Sequence, residues 1–327
     1  MSQSVRDFVG SLGLPIGDIG AAPSSTKTFP DGAQYRVEIP SVEGPAVLEA
    51  VLEEADTRGV RVHRVSQGSG GLLTTDDELR DIVRIAAERR IEFSMFTRPT
   101  AAWDVGAAHL APTGAALSAQ ARGMDQVLHG LTEIERIAQA GLRSVLVTDL
   151  GVMQLAAKMR AQGALPSTMQ MKVSVQMGLA NPVSIAIAAA HGADTYNVPA
   201  DITIAQLAAV RSVVDIPLDI YIESPDDLGG FVRHYEIAEI VRVAAPVYVK
   251  FGLRNSPFIY PSGSHIQATT IALARERVRR AQIGLDILHR EYPEATTSAL
   301  GADGLALPEV PDEPAPPSLA VVTEARH

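Results

Sequence analysis

Residues 170–223 read QMKVSVQMGLANPVSIAIAAAHGADTYNVPADITIAQLAAVRSVVDIPLDIYIE. Three short runs in this stretch, at 170–176, 195–198 and 218–223, have the alternation or the β-branched composition of strands. Two longer amphipathic runs separate them. Strands that alternate with helices are typical of a parallel sheet whose connections are helical. The stretch therefore predicts an α/β protein.

The same alternation extends outward over most of the chain. It gives eight strand candidates, at Tyr35–Ile39, Val60–Val65, Ile91–Thr97, Ser144–Thr148, Gln170–Gln176, Thr195–Val198, Leu218–Glu223 and Val247–Phe251. Helix candidates lie at about 43–58, 76–90, 124–140, 151–162, 182–191, 203–213, 230–243 and 266–291. Asp76 is the predicted N-cap of the second helix, and Gly59, Gly141 and Gly192 stand where helices end. Eight such units predict a (β/α)₈ TIM barrel.

A doubly wound open sheet is the alternative architecture. Its dinucleotide-binding turn, Gly-x-Gly-x-x-Gly, does not follow the first strand, because Ile39 is followed by Pro40-Ser41-Val42-Glu43. Composition divides the chain into an N-terminal arm at 1–33, a catalytic barrel domain at 34–295 and a Pro/Ala-rich tail at 296–327. We expect the arm to cover the lower end of the barrel and the tail to be flexible and disordered.

The composition narrows the possible functions. The chain has 28 Lys+Arg against 38 Asp+Glu, a formal charge of −10, which argues against nucleic-acid binding. It contains no Cys, so disulfides, thiolate-bound zinc and cysteine-ligated iron–sulfur clusters are excluded. No signal peptide or membrane-spanning run is apparent. We expect a cytoplasmic protein without membrane partners. We also expect a homo-oligomer, because most oligomeric proteins in solution are built from identical chains.

Alternate residues of a barrel strand face the lumen, so polar positions map its interior. By this rule Asp219, Tyr221 and Glu223 of the seventh strand face inward, as do Tyr248 and Lys250 of the eighth. The inward positions of the first and fifth strands are Arg36, Glu38, Gln170, Lys172, Ser174 and Gln176. TIM-barrel active sites lie at the C-terminal strand ends, where Asp149, Gln176, Glu223 and Lys250 fall.

Two of the four lysines in the chain, Lys172 and Lys250, lie inside predicted strands. A buried ammonium group loses its hydration, which is costly unless the group is paired or used. The position of the two lysines in the lumen favours a role in catalysis or ligand binding. The alternative is that they form structural ion pairs with the lumen carboxylates. A desolvated lysine beside another cation forms Schiff bases, whereas a charged lysine stabilises an oxyanion or holds a carboxylate. The sequence leaves both roles open.

Other residues complete the predicted site. Glu38, Asp149, Asp219 and Glu223 are candidates for general acid and base, with divalent metal binding as the weaker alternative. His63 is a candidate for substrate binding, although a lone histidine in a strand is more often a hydrogen-bonded core residue.

Loops at the strand ends supply binding candidates. The glycine-rich run 67–71 offers backbone amides to an anion, and Arg254 and Asn255 follow the eighth strand where barrels often hold an anionic group. Arg98 stands at the base of the segment 99–123, which contains Trp103 and is long enough to form a lid. The charged residues 275–280 of the last helix are interpreted as a solvated face.

The segment Lys172-Val-Ser-Val-Gln176-Met-Gly-Leu-Ala-Asn181 precedes a helix, Gly192-Ala-Asp-Thr-Tyr-Asn-Val198, Asp201-Ile-Thr-Ile-Ala-Gln-Leu207 and Leu218-Asp-Ile-Tyr-Ile-Glu223. This order resembles the central region of the U32 peptidase family, most specifically at Ser174, Gln176 and Asn181. The resemblance implies a TIM barrel with its site at strands five to eight. Asn197, in the sixth predicted strand, is a further candidate for substrate binding. Ser224-Pro225 replaces the family's His-Gly, and the cysteine cluster that binds iron–sulfur in many members is missing. The chain would be a divergent member.

Three functional hypotheses follow. The first is a hydrolase similar to U32 peptidases that cleaves an amide or related bond in a small polar or anionic molecule or short peptide. Lys172 and Lys250 would hold or polarise the substrate, Glu223 or Asp149 would transfer protons, and Arg254 would bind an anionic end. The second is an aldolase-type lyase with a Schiff-base lysine. The third is a ligand-binding barrel without catalysis, whose lumen charges are ion pairs.

Overall fold

The computed structural model describes residues 3–18, 22–100 and 119–311. The strands in these residues are β1 Tyr35–Pro40, β2 Arg64–Ser66, β3 Glu92–Phe96, β4 Ser144–Val147, β5 Gln170–Val173, β6 Thr195–Asn197, β7 Leu218–Glu223 and β8 Val247–Phe251. Each strand pairs in parallel with the next, and β8 pairs with β1 to close the ring. The predicted (β/α)₈ barrel is confirmed. The open-sheet alternative is wrong, because this sheet has no free edge.

The α-helices of the described residues are α1 Gln3–Ser11, α2 Pro45–Arg58, α3 Asp76–Glu88, α4 Gly123–Ala140, α5 Leu150–Ala161, α6 Pro182–Ala190, α7 Ile204–Arg211, α8 Ile237–Ala244 and α9 Gln267–Glu291. Each of α2 to α9 follows one barrel strand, and α1 lies in the arm. Short 3₁₀ turns occur at Gly71–Leu73, Val175–Met177, Asp226–Leu228, His234–Glu236 and Ser264–Ile266. Within the described ranges, none of the helices combines the length and apolar character that a bilayer crossing needs.

Local sequence signals account for the helix ends, with one correction. Gly59 and Gly141 adopt the left-handed conformation after α2 and α4, as predicted, and there a side chain would strain the backbone. Asp76 is not the N-cap of α3. Thr75 takes that position, because its hydroxyl accepts a hydrogen bond from the backbone N–H of Glu78 while the Glu78 carboxylate accepts one from the Thr75 amide.

The barrel wall separates two different interiors. Outward-facing strand residues such as Val173, Ile220 and Val249 are fully buried against the helices in one continuous apolar core. The lumen buries polar and charged side chains instead, Arg36, Glu38, Arg64, Glu92, Lys172 and Asp219 among them. Alternation therefore predicted correctly which positions of β1, β5, β7 and β8 face the lumen, except at Glu223. The lumen is the part of the fold that can carry chemistry.

Segments from both ends of the chain close the N-terminal end of the barrel. Phe29 of the arm packs edge-on against Tyr248, and the Arg36 guanidinium lies 4.0 Å from the Phe29 ring centroid. Arg36 donates hydrogen bonds to the Ser298 hydroxyl at 2.8 Å and to the Asp303 carbonyl at 2.6 Å. The described part of the predicted tail, up to residue 311, is thus packed on the barrel rather than free. The rest of the tail lies outside the described residues.

Candidate active site

A cavity of about 620 Å³ opens at the C-terminal ends of the strands, the end where TIM-barrel active sites lie. Inward side chains near the strand ends form its floor, Ser66, Phe96, Leu146, Ser174, Asn197, Tyr221 and Lys250. Loop residues surround the opening, Gln67, Arg98, Gln176, Asp227, Phe258 and Tyr260 among them. The volume is that of a typical small-molecule site. Five predicted site residues line it, namely Lys250, Tyr221, Asn197, Gln176 and Arg98.

Two lysines share one carboxylate beside this cavity. The Nζ atoms of Lys250 and Lys172 each lie 3.2 Å from Oε1 of Glu38. Lys172 also lies 3.1 Å from Oδ2 of Asp219. Lys250 lines the cavity, whereas Lys172, Glu38 and Asp219 are buried behind it and do not. The two lysines and two of the predicted carboxylates therefore form one cluster, and Lys250 is its member that faces the cavity.

Arg64 holds the two carboxylates from the opposite side. Its Nη2 lies 2.5 Å from Oε2 of Glu38 and 2.6 Å from Oδ2 of Asp219. Burial alone would raise the pKa of Glu38, but the positive charges around it, first Arg64 and then the two lysines, hold that pKa well below its ordinary value. Glu38 is therefore ionised at neutral pH and anchors the cluster.

The Lys250 ammonium is positioned by side chains of two other strands, β6 and β7. Its Nζ donates a hydrogen bond to Oδ1 of Asn197 at 2.5 Å and lies 4.4 Å from the ring centroid of Tyr221. Asn197 is oriented in turn, because its Nδ2 donates to the backbone carbonyls of Val198 and Asp219. The amide oxygen of Asn197 is thereby fixed toward the lysine. This contact gives Asn197 a role in placing Lys250 at the cavity floor.

Lys172 and Tyr221 have perturbed acidities. Burial lowers the pKa of Lys172, and the nearby charge of Lys250 acts in the same direction against the attraction of Glu38. Burial also raises the pKa of Tyr221, so its hydroxyl stays protonated at neutral pH. That hydroxyl makes no hydrogen bond with any residue that the structure describes, although the side chain lines the cavity. Tyr221 can therefore donate a proton or a hydrogen bond to a ligand.

The two carboxylates predicted to act as acid and base do not reach the cavity. A register shift in β7 between Tyr221 and Glu223 turns Glu223 away from the lumen. Its Oε2 lies 3.2 Å from Nε2 of His234, and its Oε1 accepts a hydrogen bond from the Arg254 amide at 3.0 Å. The predicted inward orientation of Glu223 is therefore wrong.

Asp149 caps a helix instead of facing the cavity. Its Oδ1 accepts a hydrogen bond from the Val152 amide at 2.9 Å, at the first turn of α5. Its Oδ2 accepts one from the Ala121 amide at 3.0 Å. Both oxygens satisfy backbone donors that would otherwise have no partner. This arrangement gives Asp149 a structural role.

Three predicted binding residues also lie elsewhere. His63 is buried at the lower end of the lumen, where its Nδ1 accepts from the Val37 amide and its Nε2 donates to the Ser298 carbonyl. It is the hydrogen-bonded core histidine of the alternative interpretation. Arg254 is 59 % exposed, and the Asn255 amide donates to an Asp226 carboxylate oxygen at 2.5 Å. Neither Arg254 nor Asn255 lines the cavity.

The backbone amides of the glycine-rich run after β2 donate hydrogen bonds to side chains of the protein itself. The amides of Gly68 and Ser69 donate to the two carboxylate oxygens of Glu43, at 2.8 and 3.1 Å. The amide of Gly70 donates to Oε1 of Gln67 at 2.8 Å. The predicted anion site on these amides is therefore wrong. Glu43 follows β1 directly and was not predicted, because nothing in its local sequence marks a contact 25 residues away.

Two further residues at this end were not predicted. Asp227 lines the cavity, and burial raises the pKa of its carboxyl group. Arg277 of α9 is buried instead of belonging to a solvated face, and it donates to the Ser41 carbonyl at 3.4 Å. The predicted lid falls mostly on residues 101–118, including Trp103, which lie outside the described residues. No group of three or more His, Asp or Glu side chains that could hold a metal occurs in the described ranges.

Fold and site together define a closed (β/α)₈ barrel with a lysine at the open end of a charged lumen. The sequence model of peptidase family U32 matches residues 108–224, and a search of curated proteins gives no match. The match confirms the resemblance predicted from the sequence, over the central third of the chain. It spans β4 to β7 and includes Lys172, Asn197 and Tyr221. Because the chain has no Cys, the iron–sulfur ligands of many members have no counterpart.

Solved structures are similar at low identity. The U32 peptidase Mk0906 has 15 % identity and a TM-score of 0.43, and the match covers 73 % of this chain and 99 % of that one. The octameric ribulose-1,5-bisphosphate carboxylase/oxygenase from Pyrococcus horikoshii has 11 % identity and a TM-score of 0.42, with 90 % of this chain and 69 % of that one covered. At these values the similarities carry no information about the reaction.

Proposed function

We propose that the protein is an enzyme that forms a Schiff base between Lys250 and a small carbonyl compound, as an aldolase-type lyase does. The observation that carries the proposal is the position of the Lys250 amine, on the floor of an open cavity and beside the second lysine of the cluster. A lysine next to another cation in a desolvated site is the usual arrangement of a Schiff-base nucleophile.

Buried charges surround the nucleophile. Arg64, Lys172 and Lys250 are three cations in direct contact with two carboxylates, Glu38 and Asp219. A third lumen carboxyl group, that of Glu92, lies 3.7 Å from Arg64, and burial raises its pKa. Burial also lowers the pKa of Lys172, which shares the Glu38 oxygen with Lys250. The amine of Lys250 faces the cavity and is the nucleophile of the proposed reaction.

The chemical step uses two groups of the cavity floor. The amine of Lys250 adds to the carbonyl carbon and forms a C–N bond. The carbonyl oxygen leaves as water after taking one proton from the amine nitrogen and one from an acid. The Tyr221 hydroxyl lines the cavity and stays protonated, so it supplies the second proton. The iminium then accepts the electron pair of the Cα–Cβ bond, which breaks as the β-hydroxyl gives its proton to the Tyr221 phenolate and that fragment leaves as an aldehyde. The Tyr221 hydroxyl protonates the enamine carbon. Water hydrolyses the iminium that results, which releases the ketone product, the Lys250 amine and the proton that restores the Tyr221 hydroxyl.

A direct test is reductive trapping with sodium borohydride, followed by mass spectrometry of the labelled peptide. We expect wild-type protein to gain one adduct at Lys250 with a panel of pyruvate, glyoxylate, acetaldehyde and dihydroxyacetone phosphate. Lys250→Ala removes the adduct, and Lys158→Ala, which changes an exposed lysine on α5, keeps it. Equal labelling of wild type and Lys250→Ala, or labelling of Lys158 alone, would overturn the proposal.

A hydrolase is the second candidate, and the match to the U32 peptidase family favours it. With Glu223 and Asp149 engaged elsewhere, Asp227 is the carboxyl group that the described residues bring to the cavity, and a raised pKa suits a general base. In this scheme the Lys250 ammonium stabilises the oxyanion of a peptide carbonyl. Turnover of a dipeptide panel that Asp227→Asn abolishes and Asp226→Asn keeps, without any borohydride adduct, would select the hydrolase over the lyase.

A further inference from the structure

A second, smaller cavity of about 100 Å³ adjoins the first. The two cavities share lining residues, Ser41, Pro225, Asp227, Phe258 and Tyr260. The smaller one is also lined by Ser256 and by Arg277 from α9. A ligand in the main cavity therefore has a side chamber within reach, and a guanidinium forms part of its wall.

Arg277 differs from the other arginines of its helix. Arg275 and Arg279 are 40 % and 48 % exposed and form ion pairs with surface glutamates. Arg277 is only 3 % exposed and forms no ion pair with any residue in the described ranges. Its Nε has no hydrogen-bond partner there, and its Nη1 makes one long hydrogen bond, 3.4 Å, to the Ser41 carbonyl. A buried guanidinium whose N–H donors mostly have no acceptor destabilises the folded protein, unless a bound anion accepts those hydrogen bonds.

The carboxylate of Glu43 does not satisfy Arg277. The charge of Glu43 acts on Arg277 from a distance, but its oxygens already accept hydrogen bonds from the Gly68 and Ser69 amides and the Ser69 hydroxyl. Burial raises the pKa of Glu43, which weakens its negative charge further. Arg277 therefore retains a binding capacity that the fold itself does not use.

We infer that Arg277 and the small cavity form a subsite for one anionic group, a carboxylate or phosphate, of the carbonyl substrate. The inference rests on the proposed function, in which Lys250 binds the carbonyl carbon of the same molecule. Arginine binds both anion types through two parallel N–H donors, and Ser256 lines the same chamber with a hydroxyl group. The substrate class is an anionic ketone or aldehyde whose charged group is separated from its carbonyl carbon.

Size and charge of the chamber agree with this assignment. A volume of about 100 Å³ accommodates one carboxylate or phosphate group. Two acidic residues, Asp226 and Asp227, also line the chamber, and the surrounding protein moderates their negative charge. Asp226 pairs with Arg254 and accepts from the Asn255 amide, and burial raises the pKa of Asp227.

The first test measures binding of inorganic phosphate and of acetate by isothermal titration calorimetry, in chloride buffer of constant ionic strength. We expect wild type to bind at least one of the two anions. Arg277→Met should weaken that binding at least tenfold, whereas Lys250→Met and Arg279→Met, a matched change on the exposed face of α9, should alter it less than threefold. The anion that binds more tightly identifies the charged group. Binding unchanged in Arg277→Met, or lost in Lys250→Met, overturns the subsite.

A second measurement separates failure of the subsite from failure of the proposed function. Borohydride trapping of Arg277→Met should remain at the wild-type level with acetaldehyde, which has no charge, and fall at least tenfold with the anionic carbonyl compounds. Arg277→Lys, which keeps a charge, should recover part of the loss if the variant protein is folded. Anion binding that needs Arg277 without any trapping leaves the subsite standing and removes the Schiff base. Trapping of all compounds equally in Arg277→Met removes the subsite alone.

Discussion

His63 links the protonation of a single residue to the stability of the lower barrel end. Burial lowers its pKa from 6.5 to about 4, so the folded protein keeps the ring neutral. The unfolded chain takes up a proton below pH 6.5, which favours unfolding. Stability from this residue is therefore complete above pH 6.5 and is lost as the pH falls toward 4, at about 1.4 kcal/mol per pH unit and about 3 kcal/mol in total.

Urea unfolding at pH values from 7 to 4 measures this dependence. His63→Gln should be less stable at pH 7, because one of two buried hydrogen bonds is lost, and should show a shallower fall toward pH 4. His191→Gln removes an exposed histidine and should follow the wild-type curve. Parallel curves for His63→Gln and wild type would show that other groups determine the acid sensitivity.

At the same scale, Glu223 and Arg277 mark the limit of prediction from sequence. Strand alternation placed Lys172 and Lys250 in the lumen correctly, because that pattern depends only on neighbouring residues in one strand. It failed at Glu223, where a register shift against β8 reverses the side chain, and register depends on another strand. Arg277 shares a helix face with the buried Ala274 and Ala281, a local signal that could have identified it. Its lack of a partner depends on the fold.

At the scale of elements, the segment 296–311 contributes hydrogen-bond acceptors to the lower end of the barrel. Ser298 accepts from Arg36 through its hydroxyl group and from His63 through its carbonyl, and the Asp303 carbonyl accepts from Arg36. These acceptors pair a cation and an imidazole that are fully buried. Composition predicted a flexible tail, because the segment has few large apolar side chains. Hydrogen bonds to backbone carbonyls do not depend on composition, so the prediction missed them.

Truncation tests the role of this element. A chain ending at Ala295 leaves two Arg36 donors and one His63 nitrogen without acceptors, each at a cost of about 1–3 kcal/mol. We therefore expect a loss of at least about 3 kcal/mol in the free energy of unfolding, measured in urea. A chain ending at Pro311 keeps every contact described and should match the full chain. Equal stability of both truncated forms would show that the segment does not support the barrel.

At the scale of the whole molecule, the repeated unit explains why the fold was predictable. Eight strand and helix pairs repeat one local pattern, and closure of the ring adds no new sequence signal. Four of the five members of the cluster at the cavity were predictable, since Glu38, Lys172, Asp219 and Lys250 follow from alternation. Arg64 was missed because the strand was predicted to start at Val60, whereas β2 begins at Arg64. Alternation over the predicted strand therefore did not identify Arg64 as a cation in the lumen. Its contacts join β2 to β1 and β7, and such contacts appear only in the closed ring.

The stability of the whole molecule distinguishes an enzyme from a barrel without catalytic activity. A cation kept for chemistry costs stability, whereas one kept for structure adds it. Lys250→Met leaves Glu38 with Arg64, Lys172 and the Ser66 hydroxyl, so we expect the free energy of unfolding to stay equal or to rise by about 1–2 kcal/mol, with trapping lost.

Lys158→Met on the exposed face of α5 is the matched control and should change stability by less than about 0.5 kcal/mol. Glu38→Met, which leaves three buried cations without their shared carboxylate, should lose about 3–5 kcal/mol. Urea midpoints for the three variants measure the contrast. If Lys250→Met lowered the free energy of unfolding by more than about 2 kcal/mol, Lys250 would be a member of a structural ion pair. A lysine that acts only on a ligand in the cavity does not stabilise the barrel.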